Sequence, residues 1–327
     1  MTDPRKTLVL SGRDVRALLD EQTALAAVES AFAKHGRRET VMPPKVYLPL
    51  EREGGDFRAM PVYADGAAGV KWVNAHPDNP ARHGLPAVMA VFVYNDPATA
   101  EPLAILDATG MTAMRTGAAA AVATKHLARR GATRLGLIGC GTQARTALRC
   151  HRLVMDLGEV YLFDASREAA QRLADEFPDL RCRIGSIEQA AGADVVCTTT
   201  PSRSPIVPDA LVREGTHINA MGADAPGKQE LDPAILLRGR VFLDDTDQAT
   251  ESGEVNVPLR SGLLSRDRIA GTLGEVVAGR IEGRRSDAEV TVFDSTGLAV
   301  QDLAVARVVY ERARERGAGT EIELVVP

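Results

Sequence analysis

Apolar residues first recur at helical spacing. Between Glu21 and Lys34 they fall at Leu25, Val28 and Phe32, one face of a helix, and Ser11 stands where it can cap a shorter helix through Leu19. The pattern then turns to short strand-like runs at Lys45–Leu50, Phe57–Tyr63, Gly69–Asn74, Ala87–Asn95 and Leu103–Asp107, punctuated by Pro, Gly and Asp. Strands with no helix between them predict an antiparallel or mixed sheet. Met111–Leu127 is Ala-rich and reads as a helix crossing between domains.

From Arg134 strands and helices alternate. Strands are predicted at Arg134–Ile138, Glu159–Phe163, Val195–Thr198, His217–Ala220, Val241–Asp244 and Val290–Phe293. Helices are predicted at Gln143–Leu157, Arg167–Glu176 and Ile187–Ala191. Alternation of this kind signals a parallel α/β sheet. A last helix, Leu298–Arg316, stops at Gly317, and a strand over Glu321–Val326 returns to the first domain. The expected organisation is an α+β domain of residues 1–117 and 299–327 around an α/β domain of residues 118–298.

Composition narrows the picture. The 327 residues suit two domains, and 45% hydrophobic with 25% charged residues is an ordinary globular balance. Aromatics are only 4%, so aliphatic side chains must fill the cores. A net charge of −5 argues against nucleic-acid binding. The basic cluster Arg280–Arg285, interrupted by Glu282, is expected to be a solvated turn. No stretch is apolar enough for a membrane span or a signal peptide. The cysteines, Cys140, Cys150, Cys182 and Cys197, form no C-x-x-C pair, so a reduced cytoplasmic setting is expected. His76 and His83 read as loop histidines, and no metal site is expected.

The densest chemical signal is Leu135–Ala144, a G-x-G-x-x-A that follows an apolar strand and opens a helix. Gly139 permits the tight turn, Gly141 lets backbone approach a pyrophosphate, and Ala144 sits at the close helix–strand contact. Thr142 and Gln143 open the helix whose N–H groups would meet the phosphates. Asp164 ends the second strand, 20 residues after Ala144. A carboxylate there accepts from ribose hydroxyls and repels a 2′-phosphate, favouring NAD; Arg167 leaves NADP open. The alternative for Asp164 is a helix cap. Thr198, Thr199 and Thr200 follow a strand end and either line the cofactor cleft or form a capped turn. The domain is therefore expected to be a Rossmann domain that binds NAD.

Further stretches give the chain a family likeness: Gly69–Asn74, Asn95–Pro97, Met114–Ala118, Gly222–Leu231 and Phe293–Gly297. With Ile138–Ala144 they resemble the ornithine cyclodeaminase/mu-crystallin family over nearly the whole length. Val70–Pro80, Thr198–Val207, Gly215–Asp232 and Phe293–Tyr310 are most similar to its archaeal-type alanine dehydrogenase branch. The resemblance implies an N-terminal dimerisation and substrate domain, a Rossmann domain and a C-terminal return to the first. It implies that Lys71 is the catalytic acid/base beside the substrate, and that Lys45 and Arg115 grip its carboxylate, Arg115 also touching cofactor phosphate. It implies that Asp224 is catalytic, that Met221 and Lys228 reach the cofactor, and that Ser295 and Thr296 lie near the nicotinamide. The bland alternatives are surface lysines at Lys71, Lys45 and Lys228, a solvated Arg115, a turn-capping Asp224 and helix caps at Ser295 and Thr296. Ala87 departs from the branch, which carries Thr there.

The implied activity is NAD-dependent dehydrogenation of an amino acid, L-alanine foremost. Ornithine cyclodeamination, reduction of a cyclic ketimine such as pyrroline-2-carboxylate, and cofactor or hormone binding without turnover remain alternatives. A homodimer through the N-terminal sheet is expected, because few helices are available to cover it and an uncovered sheet tends to be paired.

Overall fold

The computed structural model describes residues 6–326. The chain divides into two compact units, Met1–Arg115 with Leu298–Pro327, and Thr116–Gly297. The division falls inside the helix Thr109–Leu127.

The first unit is built on β1 (Thr7–Leu10), β2 (Thr40–Val41), β3 (Val46–Leu50), β4 (Gly55–Ala64), β5 (Ala67–Ala75), β6 (Val88–Asn95) and β7 (Pro102–Asp107). The C-terminal strand Thr320–Ile322 joins β1, and the order continues β1-β7-β6-β5-β4-β2, with β3 also on β4. The pairing β1–β7 is parallel and the others antiparallel, so the sheet is mixed. Strands β1 and β2 were not legible, being short and without alternation. The Pro/Asn-rich loop expected around His76–His83 contains a single helical turn at Asn79–His83.

Period-two alternation gives this sheet two different faces. Met60, Val62, Phe92 and Tyr94 are buried. The C-terminal helix, Ala299–Arg316, packs across β4, β5 and β6 and against the helix Glu21–Gly36. It ends where Gly317 takes the left-handed conformation at φ 62. On the other parity Phe57 stacks on Trp72 with ring centroids 5.1 Å apart. Tyr63, Trp72 and Val91 there are each more than 40% exposed, an apolar face left in solvent.

The second unit carries β8 (Arg134–Ile138), β9 (Glu159–Phe163), β10 (Cys182–Ile184), β11 (Val195–Thr198), β12 (His217–Ala220), β13 (Arg240–Leu243), β14 (Ile269–Thr272) and β15 (Thr291–Asp294). All pairings are parallel, in the order β10-β9-β8-β11-β12-β15-β13-β14. The reversal of direction beside β8 is that of a Rossmann sheet, with the cleft expected at the strands' carboxyl ends. Strands β10 and β14 escaped the sequence reading. The helix after the glycine loop runs Thr142–His151 and ends six residues short of the end of the expected Gln143–Leu157. Leu153, inside the expected span, is 47% exposed, and the chain turns towards Gly158 to enter β9. At Gly136 in β8 a Cβ would lie 1.9 Å from the Ala190 carbonyl oxygen, so the helix Ile187–Ala191 packs on bare backbone.

The expected solvated turn at Arg280–Arg285 needs correction at Arg284. Its guanidinium donates to the carbonyls of Leu127 at 2.7 Å and Thr216 at 3.2 Å, to the carbonyl of Glu289, and to Thr291 Oγ1 at 2.8 Å. Loop and helix-end carbonyls need donors, and a planar five-donor group meets several at once. Among the described residues no helix is long and apolar enough to cross a membrane.

A buried polar chain continues from Arg284 under the sheet. Thr291 Oγ1 meets His217 Nδ1 at 2.9 Å, and His217 Nε2 meets Asn219 Oδ1 at 3.1 Å. Asn219 donates to Thr124 Oγ1 at 2.9 Å, and Thr124 lies 2.9 Å from His151 Nε2. The Ala147 carbonyl, 2.7 Å from His151 Nδ1, can only accept, so Nδ1 carries the proton and Thr124 donates to Nε2. Burial lowers His151 from 6.5 to about 4. Burial, then the Arg284 charge, lowers His217 to about 3. Below pH 6.5 the unfolded chain binds protons that these folded histidines refuse, so their contribution to stability is full above 6.5 and falls as the pH drops towards those values. Nitrogen-15 NMR should find both rings neutral at about pH 5, where a free imidazole is mostly charged. A midpoint above about 6 at either ring would show that the chain is hydrated rather than buried.

Candidate active site

The glycine loop joins β8 to the helix Thr142–His151. Gly139 sits at φ 90, and a Cβ on it would come within 3.0 Å of the Thr199 carbonyl and hydroxyl oxygens. A Cβ on Gly141 would meet nothing within 4 Å, so the space over the loop is open. Gly141 is the N-cap and supplies no side-chain acceptor to the first helical N–H groups. Thr142 is exposed, Gln143 half-buried, and Ala144 wholly buried where the helix packs. Open space over unclaimed helix N–H groups fits the pyrophosphate of a dinucleotide.

Asp164 does more than its position at the end of β9 suggested. Its Oδ2 accepts from Cys140 N at 2.7 Å and its Oδ1 from Ser166 N at 2.8 Å. The cap of the following helix is Ser166, whose hydroxyl accepts from Ala169 N, so the helix-cap alternative for Asp164 falls. The carboxylate braces the glycine loop from β9. Arg167 is exposed at the first helical position. Burial pushes the Cys140 thiol up to about 12, which makes it a packing residue.

Three threonines lie at the carboxyl end of β11, Thr198 as its last residue and Thr199 and Thr200 directly after it. Thr198 Oγ1 donates to Glu230 Oε2 at 2.6 Å, and Thr200 donates to Glu230 Oε1 through both backbone N and Oγ1 at 2.7 Å. Gly222 N, after β12, donates to Glu230 Oε2 at 2.8 Å. Thr199 Oγ1 donates to the Gly139 carbonyl at 3.1 Å. These hydroxyls, for which cleft lining and a capped turn were both open, are engaged in joining two strand ends to the glycine loop. Glu254 in turn accepts from Glu230 N and Leu231 N. Burial pushes Glu230 and Glu254 above the usual carboxylate range and Asp294 up to about 8. Nothing in the spacing of these acids marked them, since each is isolated in sequence.

Met221 is buried directly after β12, its N donating to the Thr198 carbonyl at 2.9 Å. Lys228 Nζ lies 2.6 Å from Asp224 Oδ1, an ion pair that closes the loop between them. Ser295 is buried, and Thr296 donates through its backbone N to Asp244 at 2.7 Å. Neither caps the C-terminal helix, whose N-cap is Leu298.

In the first unit, Lys71 points from β5 under the C-terminal helix and is 1% exposed. Its register partners are Met60 and Phe92, both buried and apolar. Its Nζ lies 2.7 Å from Asp302 Oδ2. Arg115 Nε reaches Asp302 Oδ1 at 3.1 Å, and its Nη1 donates to Gln301 Oε1 at 3.2 Å. Gln301 Nε2 is buried with no partner. Burial, then the Arg115 charge, lowers Lys71 from 10.5 to about 7, while Asp302 pushes the other way and Lys45 adds to the lowering. Lys45 and Arg115 are buried too, so the surface readings fail for all three basic residues. Asp302 was missed. Its signal was the single charge in the first turns of the last helix, set beside Gln301 between Val300 and Leu303.

His76 packs edge-on to Phe57, with centroids 5.7 Å apart, and pairs with Asn74. No group of His, Cys, Asp and Glu among the described residues could hold a metal ion.

Glu230→Ala should destabilise the second unit by about 3 kcal/mol, because the buried partners Thr198, Thr200 and Gly222 lose their acceptor together. Urea unfolding measures it; a loss below about 1 kcal/mol would mean that water replaces the carboxylate.

The chain is 48% identical over 320 residues to alanine dehydrogenase of Archaeoglobus fulgidus, spanning 97% of this chain and 98% of that one. It is 37% identical to iminosuccinate reductase of Paracoccus denitrificans, over 97% of this chain and all of the relative. An archaeal alanine dehydrogenase dimer with bound NAD superposes with a TM-score of 0.95 at 48% identity, covering 98% of this chain and 100% of that one. The Δ1-pyrroline-2-carboxylate reductase of Thermococcus litoralis, in complex with NADH and L-proline, gives 0.94 at 33% identity over 97% of this chain and 100% of that one. Residues 5–317 match a single family throughout, and the chain belongs to the ornithine cyclodeaminase/mu-crystallin family.

Proposed function

We propose that this protein is an NAD-dependent oxidoreductase acting at the Cα–N bond of a small amino acid, converting L-alanine to pyruvate and ammonia. The observation that carries the proposal is the buried cluster of Lys71, Arg115 and Lys45, with one carboxylate, Asp302, shared by Lys71 and Arg115. Lys71 and Arg115 share the single carboxylate of Asp302, and the carboxylate of a substrate beside them supplies further negative charge. The partnerless Gln301 amide beside Arg115 is a further donor for such an oxygen.

The cofactor reading rests on the open loop at Gly141 and on Asp164, which disfavours a 2′-phosphate. Bound NAD supplies the acceptor for the Cα hydride. The chain's own part is to hold the substrate and manage protons. Arg115 and Lys45 fix the carboxylate. Lys71, poised near neutrality, takes the proton of the substrate amine so that its lone pair can assist hydride departure. Water then adds to the resulting iminium, and ammonia leaves as the ketone forms. Asp224, paired with Lys228, is the second proton carrier. Substrate binding falls to the unit of residues 1–115 and 298–327, cofactor binding to residues 116–297. Imine reduction, the activity in the names of two relatives, runs the same hydride step in reverse without the hydrolysis.

Purified protein with NAD and L-alanine should produce NADH, and pyruvate with ammonium should consume it. Lys71→Ala should lower turnover by about 10²–10⁴-fold while NADH fluorescence titration stays unchanged. If alanine and pyruvate are inert while a cyclic imine is reduced, the substrate assignment fails. Release of proline from ornithine without net NADH would make the chain a cyclodeaminase, and NADH binding without any turnover a binding protein.

We further propose a homodimer formed by the outer face of the first unit's sheet, where Phe57, stacked on Trp72, and the exposed Tyr63, Trp72 and Val91 make one apolar surface. Trp72→Glu should shift wild-type dimer to monomer in sedimentation at micromolar concentration. A monomeric wild type sinks the assignment.

A further inference from the structure

The C-terminal helix brings a charge where its packing face is otherwise apolar. Leu298, Ala299, Val300, Leu303, Val305 and Ala306 are buried on the same helix as Asp302. A carboxylate in that position loses its hydration and must be answered by cations and hydrogen bonds. It is answered from two directions, by Lys71 from β5 at 2.7 Å and by Arg115 from the helix Thr109–Leu127 at 3.1 Å. Asp302 also lies in the first turns of its helix, where the helix dipole favours an anion.

Each oxygen of Asp302 serves a different cation: Oδ2 takes Lys71 and Oδ1 takes Arg115. That division sets the spacing of the ammonium and the guanidinium to the two ends of one carboxylate. Neighbouring Gln301 holds the same guanidinium through Nη1, and its Oε1 also accepts from Leu298 N at 3.3 Å. The first turn of the helix thus grips Arg115 at two points.

We propose that Asp302 is the positioning residue of this site, holding Lys71 and Arg115 in one fixed arrangement and biasing Lys71 towards its charged form. The inference rests on the reading of Lys71 as the acid/base group. Three charged groups decide the bias. Asp302 from the C-terminal helix favours the ammonium; Arg115 and Lys45 oppose it. On the flanking strands Lys71 meets apolar Met60 and Phe92, and Arg58 of β4 is paired with Asp56 at 2.8 Å. Without Asp302 nothing named here favours a proton on Lys71, so its neutral form would extend to lower pH.

The test is Asp302→Asn in the full-length chain, which keeps the shape and removes the charge. Nitrogen-15 NMR of labelled lysine should show the Lys71 midpoint about 1–3 pH units below wild type. The acid limb of kcat/KM against pH should move down with it, and the plateau should fall about tenfold or more as Arg115 and Lys71 lose their common anchor. NADH affinity should not change. A Lys71 midpoint within about 0.3 units of wild type would overturn the proposal. The NMR titration uses the free protein, so it decides even if no amino or imino acid proves to be a substrate. Should the Asn variant fail to fold, Asp302→Glu carries the test. The extra methylene displaces both cations, so kcat/KM should fall about tenfold with NADH affinity intact. Wild-type kcat/KM in that variant would equally overturn the proposal.

Discussion

The contact between Asp302 and Lys71 fixes the arrangement of buried charge in the first unit. It joins a residue near the chain's end to one in its first quarter, 231 positions apart. Both side chains are out of water, at 0% and 1% exposure. A buried pair of this kind is weak evidence for stability, since desolvation cancels most of the attraction. It is strong evidence for placement, because Asp302 without Lys71 is a buried charge that must still be answered, and Lys71 without Asp302 loses the group that favours its proton. The pair thus fixes where the last helix meets β5, while the apolar residues around Asp302 supply the packing.

The second unit solves a related problem with acids alone. Glu230 joins the ends of β11 and β12, Asp164 joins β9 to the glycine loop, and Glu254 holds the Glu230 backbone. The carboxyl edge of a parallel sheet ends in loops whose N–H groups have no partner in the ladder. Carboxylates are the acceptors that meet several such donors at once. The loop backbone is thereby braced by interior groups, while the open space at Gly141 is left to a ligand.

The two halves divide the chemistry by charge. The first gathers cations around one carboxylate under the C-terminal helix; the second offers helix N–H groups at an open glycine loop and an acid that braces that loop from β9. An amino-acid oxidoreductase needs both, and the family to which the chain belongs includes dehydrogenases and imine reductases built on this plan. The difference between those activities lies in what happens to the imine, not in the hydride step.

Much of the backbone was legible because it depends on local rules. Strands β8, β9, β11 and β12 were read to the residue, since a strand buried on both faces is a continuous apolar run bounded by turns. The glycine loop was legible because only Gly tolerates the φ of residue 139. Strands β1, β2, β10 and β14, of two to four residues, were not, because their pairing comes from neighbours far along the chain. The sequence by itself determined the kind of chemistry on offer: a dinucleotide loop, an acid after the second strand, and basic residues within recognisable motifs. Only the tertiary structure decided which charges face one another. It buried Lys71 against Asp302, turned Thr198 and Thr200 onto Glu230, and drew Arg284 into its own unit's carbonyls. The reason is physical: a side chain's protonation and partners are set by what burial brings within a few ångströms, and that neighbour can lie hundreds of residues away.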